Sequence, residues 1–185
     1  LPETSLKQNI NKMTAQSMLA YLYLNAGVYT GTPKWAEAEA AADAVINSGK
    51  YSLTSNFFAN FSERNSGSTE NILTLPYDQN NAGGFNLAQM TLHYLSQQTY
   101  NLQDQPWNGY ASLEEFYNSF DANDARKKSF IEGPQFAANG TRLNDISAEA
   151  NDPDGQPLTF TPKINMLFPN AFRQAGVRVG KFEFA

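Results

Sequence analysis

Apolar residues at helical spacing, twice within the first fifty positions and only weakly afterwards, constrain this chain more than any other feature. Ala15, Met18, Leu19, Leu22 and Ala26 recur at i, i+3, i+4, i+7 and i+11, a stripe along one face of an amphipathic helix. Asn25 and Gly27 supply its stop. Thr32-Pro33 then reads as an N-cap followed by proline at the first helical position. Trp35, Ala38, Ala42 and Val45 repeat at i, i+3, i+7 and i+10, with Glu37, Glu39 and Asp43 facing out. Gly49 closes this second helix. So short a connection makes the two helices antiparallel neighbours, and the small side chains of Ala20, Ala38, Ala41 and Ala42 let their backbones approach closely.

Past Tyr51 the pattern changes. Phe57, Phe58 and Phe61 predict a short helix that plugs the pair, and Asn71-Ile72-Leu73-Thr74-Leu75-Pro76-Tyr77 predicts a short strand ending at the proline. Asn80-Asn81-Ala82-Gly83-Gly84 is a loop. Leu87, Met90, Tyr94 and Leu95 give a weaker helical stripe. Ser112 with Glu115 predicts a capping box before a helix whose apolar face is Leu113, Phe116, Tyr117 and Phe120. From Gly133 onward, Gly133-Pro134, Asn139-Gly140, Asp152-Pro153-Asp154-Gly155 and Phe168-Pro169-Asn170 signal turns and hairpins. The expectation is a mainly α chain: a helix pair over residues 1–55 as scaffold and a loop-rich part with short strands over 56–185, within one domain. The pair is similar to a tetratricopeptide unit, and one such unit cannot bury its own apolar face. Partner helices are expected before Leu1 or after Ala185 in a parent protein.

Several function classes drop out. With 13 Lys+Arg against 18 Asp+Glu the net charge is -5, and without a basic run the chain is a poor match for nucleic acid. Cys is 0, which removes thiolate metal sites, cysteine nucleophiles and an acceptor for a lipid anchor within this sequence. Mean hydropathy is -0.50, with no apolar run of the length a membrane span needs. The sequence opens Leu1-Pro2-Glu3-Thr4 without Met, which reads as a mature or excised piece.

Catalysis finds no constellation. Glu114 and Glu115 are helix neighbours about 100° apart, so they cannot flank one glycosidic bond. Asp121, Asn123 and Asp124 lack the central Gly and closing Glu of a calcium loop, and a turn with Asp124 paired to Arg126 fits better. His93 is the single histidine, too few for a zinc site without other ligands in reach. No cofactor motif appears. Asn60-Phe61-Ser62 and Asn139-Gly140-Thr141 match glycosylation sequons, which arise by chance in so Asn-rich a chain.

What stands out is chemistry without much charge. Charged residues are 17%, aromatics 13%, and 20 Asn with 11 Gln make 31 of 185 side chains amides. Amides supply paired donors and acceptors, and rings cover the apolar face of a sugar. One cluster combines them: His93, Tyr94, Tyr100, Gln103, Asp104, Gln105, Trp107, Asn108 and Tyr110. Trp107 with Tyr110 or Tyr94 would stack on sugar rings, and Asn108, Gln103, Gln105 and Asp104 would bond hydroxyls. The rival reading is a tetratricopeptide-type module taking a peptide in an apolar groove between residues 15 and 46.

At these residues the chain resembles the SusD/RagB proteins. Leu22-Tyr23-Leu24-Asn25-Ala26-Gly27-Val28-Tyr29, Trp35-Ala36-Glu37-Ala38 and Val45-Ile46-Asn47-Ser48-Gly49-Lys50-Tyr51 look like their helix pair, and Glu70-Asn71-Ile72-Leu73 like the strand that follows. Thr91-Leu92-His93-Tyr94, Trp107-Asn108-Gly109-Tyr110, Phe116-Tyr117-Asn118, Asp124-Ala125-Arg126, Gly133-Pro134-Gln135 and Gly176-Val177-Arg178-Val179-Gly180 continue the likeness in order. The resemblance implies a SusD-like α-α superhelix, of which this chain is an internal portion. It implies a non-catalytic, cofactor-free glycan binder on the outer face of a Gram-negative outer membrane. The partner it implies is a SusC-type TonB-dependent transporter, and attachment to the membrane is through a lipid anchor outside this chain.

Overall fold

A computed structural model of the chain describes residues 1–2, 8–77, 80, 83–84, 86–145, 156–163 and 173–182. The fold is mainly helical with a few short strands, in two compact units. One comprises Leu1–Asn60 with Arg64–Gly83, the other Phe61–Glu63 with Gly84–Ala185. Residues 64–83 therefore group with the helices.

In the first unit α1 (Lys12–Leu24) and α3 (Trp35–Ile46) pack side by side, with the short α2 (Ala26–Thr30) between them in sequence. A capping box starts α1: Asn11 Oδ1 accepts from the Thr14 amide at 3.0 Å, and Thr14 Oγ1 accepts from the Asn11 amide. Asn25 caps its end, as expected, and Gly31 at φ 74° ends α2. The expected cap at Thr32-Pro33 does not form. Thr30 Oγ1 takes the Thr32 amide instead, Lys34 occupies the cap position without a side-chain bond, and α3 begins at Trp35.

The buried faces also differ from the expected stripe. Met13 and Thr14 on α1 and Ala38, Ala41 and Val45 on α3 are buried, whereas Met18 and Leu22 are 55% and 52% exposed. Ala38 and Ala41 are the small residues buried on α3, and Met18 and Leu22 of α1 stay outward, beside Ile72 and Leu73. Phe57–Phe61 forms the expected short helix, of 3-10 type. Residues 71–77 form no strand. Their backbone has no ladder partner among the described residues, and Ile72 and Leu73 lie along α1 beside Met18, Tyr21 and Leu22. Glu70 anchors this segment. Its Oε2 accepts from the Thr54 amide (3.1 Å), the Thr54 hydroxyl (2.9 Å) and Asn60 Nδ2 (2.7 Å). Those bonds, with the Thr54 amide first, hold the Glu70 carboxyl below its usual pKa.

In the second unit α4 (Leu87–Thr91) and α5 (Ser96–Tyr100) replace the single weak helix, broken at Leu92-His93; α6 is Glu114–Asn118. The capping box at Ser112 is absent. Ser112 is buried, its amide donates to Val177 O, and Leu113 takes the cap position. Three two-stranded antiparallel ladders follow: β1 (Phe130–Ile131) with β6 (Arg178–Val179), β2 (Gly133–Pro134) with β5 (Thr159–Phe160), and β3 (Asn144–Asp145) with β4 (Gln156–Pro157). Leu143, Leu158 and Phe160 form their core, with Leu95, Ile131 and Ala137 packed against it. The Asn139-Gly140 turn forms as expected, with Gly140 at φ 83° and Asn139 Oδ1 accepting from the Thr141 amide at 3.0 Å. The signals at 152–155 and 168–170 lie outside the described residues.

Candidate functional site

The aromatic and amide cluster lies in the second unit, and its backbone explains how the loop is held. Asn101, left-handed at φ 51°, ends α5, and Gln97 Nε2 donates to Gln103 O at 3.1 Å to close the turn that follows. Pro106 is fully buried. The next four amides all donate to the α4 region: Trp107 to Gln89 O (2.7 Å), Asn108 to Leu92 O (2.9 Å), and Gly109 and Tyr110 to Met90 O (2.8 and 2.9 Å). Gly109 suits that approach. A Cβ there would sit 3.1 Å from Met90 O, a backbone atom with little room to yield.

With the backbone strapped down, the two rings stay outside. Trp107 is 50% and Tyr110 53% exposed, and Tyr100, Gln103, Asp104 and Gln105 are exposed as well. Rings held on a fixed backbone beside polar side chains suit a ligand with one apolar face and a hydroxyl rim.

The structure corrects two members of the cluster and limits a third. His93 is fully buried; its Nδ1 accepts from the Leu95 amide at 3.1 Å, so the ring proton sits on Nε2, 3.3 Å from Asp145 Oδ2. It cannot touch a glycan. Asn108 is also spent inside: Oδ1 accepts from Arg178 Nε at 3.0 Å and Nδ2 donates to Arg173 O at 2.9 Å. Tyr94 is half-buried with the Arg173 guanidinium 5.2 Å over its ring, which leaves less of it for a ligand. The surface set is therefore Trp107, Tyr110, Gln103, Asp104, Gln105 and Tyr100.

Sequence reasoning missed the support beneath. Asp145 Oδ1 meets Arg173 at 2.5 Å, and the carboxylate lies near the Arg178 guanidinium. Arg178 is itself buried. It donates from Nε to Asn108, from one terminal nitrogen to Ala175 O (2.8 Å) and Gly176 O (3.2 Å), and from the other to Arg173 O, while lying 4.9 Å over the Phe160 ring. Burial lowers its pKa to about 10, against the opposing pull of Asp145. The signal was present in Gly176-Val177-Arg178-Val179-Gly180, an arginine between two valines, in a short strand. Among the described residues no group of three or more His, Asp or Glu could hold a metal. Nor is any helix among them long and apolar enough to cross a membrane.

Comparison with solved structures identifies the architecture. A SusD superfamily protein from Parabacteroides distasonis ATCC 8503 superposes with a TM-score of 0.66 at 18% identity, over 98% of this chain and 35% of its own. The chain has a SusD-like fold. A SusD superfamily protein from Bacteroides fragilis NCTC 9343 gives a TM-score of 0.59 at 17% identity, over 95% of this chain and 34% of its own. The chain thus spans about a third of the length of these SusD-like neighbours. No protein-family model matches the sequence, and no curated protein matches it.

Proposed function

We propose that this chain is the part of a SusD-like domain that binds neutral oligo- or polysaccharide, without catalysis, through Trp107 and Tyr110. The observation that carries this reading is that both rings stand in solvent on a backbone fixed by four consecutive hydrogen bonds. Rigid presentation lowers the ordering entropy that a ring on a loose loop would lose on binding. Gln103, Gln105 and Asp104 supply acceptors and donors for hydroxyls, and Tyr100 a further ring. The two units belong to one such domain. The parent protein is a lipid-anchored component of the outer membrane's outer face that passes glycan to a SusC-type TonB-dependent transporter; the SusD-like fold supports this by analogy of architecture. Electrophoresis of the chain in native gels containing barley β-glucan, pullulan or galactomannan tests the binding claim. Retardation in one gel, lost on Trp107→Ala, is the expected result. Equal mobility in every gel by a folded sample contradicts it.

A second reading has one observation in its favour. Thr14, Ser17, Met18, Tyr21, Leu22, Ile72 and Leu73 line an open apolar groove of about 320 Å³, a shape that suits an apolar peptide face. Met18→Glu, which puts a charge in that groove, separates the two: it abolishes peptide capture and leaves polysaccharide retardation as it was.

A further inference from the structure

We propose that Arg178 and Asn108 are positioning residues for the ring platform, acting through the backbone of the 107–110 loop rather than by touching ligand. This role rests on the glycan-platform reading above. Backbone bonds tie the loop to the α4 region from Trp107, Asn108, Gly109 and Tyr110. Among the described residues, the Asn108 side chain adds a second attachment. Asn108 stands in the left-handed region at φ 54°, between the two exposed rings, and sends its amide inward. There the Arg178 guanidinium, buried and bonded to three further carbonyls, offers Nε at 3.0 Å.

Turn chemistry alone accounts for an Asn at positive φ, but it accounts for a Gly there at least as well. What Gly lacks is the pair of side-chain bonds that join the loop to residues 173–178. An arginine is the side chain suited to the other end, because its planar fork bonds Asn108 and several carbonyls at once, which a lysine's single ammonium cannot do. Sequence distance is bridged as well: the two residues are 70 positions apart, so the loop is registered to a remote ladder in addition to the α4 region. Preorganisation of this kind sets how tightly a surface ring is held before any ligand arrives.

The test uses Trp107 itself. The chain has 2 Trp, so in a Trp35→Phe background Trp107 is the sole tryptophan; excited at the red edge, where the 9 tyrosines do not absorb, its acrylamide quenching and steady-state anisotropy read its order without any ligand. Asn108→Gly keeps the positive φ and removes the clamp. It is expected to raise the quenching constant about twofold at unchanged far-UV circular dichroism, and to weaken retardation in the polysaccharide gels about tenfold. Arg178→Lys follows the same direction. Asn108→Asp keeps an acceptor for Arg178 Nε, loses the donor to Arg173 O, and falls between the two. Quenching in Asn108→Gly equal to the parent overturns the proposal, since Asn108 would then be a turn residue only. If that variant does not fold, Arg178→Lys is read by the same measurements. The two failures are separable. A Trp107 that loosens in a parent no polysaccharide retards sustains the positioning role and removes the glycan reading. A retarded parent with an indifferent Asn108→Gly variant does the reverse.

Discussion

Arg173 and Asp145 meet at 2.5 Å beneath the ring-bearing loop, with Asp145 nearly buried and His93 at 3.3 Å on its second carboxylate oxygen. One carboxylate thus pairs with the Arg173 guanidinium, lies 3.3 Å from an imidazole nitrogen and adds a favourable field at Arg178. Asp145→Asn removes that charge and leaves two cations with neutral acceptors among the described residues. Breaking a buried ion pair on one side costs about 3–5 kcal/mol, so chemical denaturation is expected to show a loss of that order. A loss within experimental error would mean the carboxylate is solvated in the native state.

Glu70 makes stability depend on acid. Its folded pKa is lowered from 4.5, with the Thr54 amide as first cause and the Asn60 and Thr54 side chains behind it. A depressed folded value means that the stabilisation is complete above the unfolded pKa and is lost as pH falls through the folded one. Urea midpoints of the wild type and Glu70→Gln should therefore converge below about pH 4.5 and separate above it. Parallel curves across that window would show that Glu70 contributes nothing through its charge.

Tyr117 provides an alkaline counterpart. Its hydroxyl donates to Glu132 Oε2 at 2.6 Å, and this bond, with burial and the carboxylate's charge, pushes its pKa up to about 12. A raised folded value means stability present below pH 10 and lost as pH rises toward 12. Absorbance at phenolate wavelengths should show a tyrosine titrating near pH 12 that Tyr117→Phe deletes. The same variant should cost about 1–3 kcal/mol at neutral pH, where a hydrogen bond to a charged acceptor is removed.

Gly109→Ala tests the strap directly. Its Cβ would press on Met90 O from 3.1 Å, and relief must come from moving backbone that four hydrogen bonds hold. Overpacking of this sort costs about 1–3 kcal/mol. Amide exchange at Trp107, Asn108 and Tyr110 should accelerate in the variant, while exchange in α1 and α3 stays as in wild type. Unchanged protection in the loop would place the strap's rigidity elsewhere.

The fold class was legible because it rests on local periodicity and stop signals: Asn25, Gly49 and the Asn139-Gly140 turn all act near where they stand. The burial of α1 was not. Met18 and Leu22 satisfy helical spacing perfectly well, yet which face meets α3 depends on how closely Ala38 and Ala41 let the helices approach, a pairwise property invisible in either helix alone. The strand expected at 71–77 failed for a related reason, since β-branched and apolar residues need a ladder partner that sequence cannot supply. In the candidate site, composition pointed to one loop and could not sort its members by exposure. Trp107 and Tyr110 face water, while His93 and Asn108 are turned inward by Asp145, Arg173 and Arg178, which arrive from more than 25 positions away.

The central claim is that the two rings form a sugar platform, and isothermal titration of the folded chain with soluble neutral oligosaccharides meets it most directly. Saturable heat with one glycan class, weakened by about 1–3 kcal/mol in Trp107→Ala at unchanged circular dichroism, is the predicted result. Binding that survives Trp107→Ala intact, or no heat from any glycan with a folded chain, would contradict it.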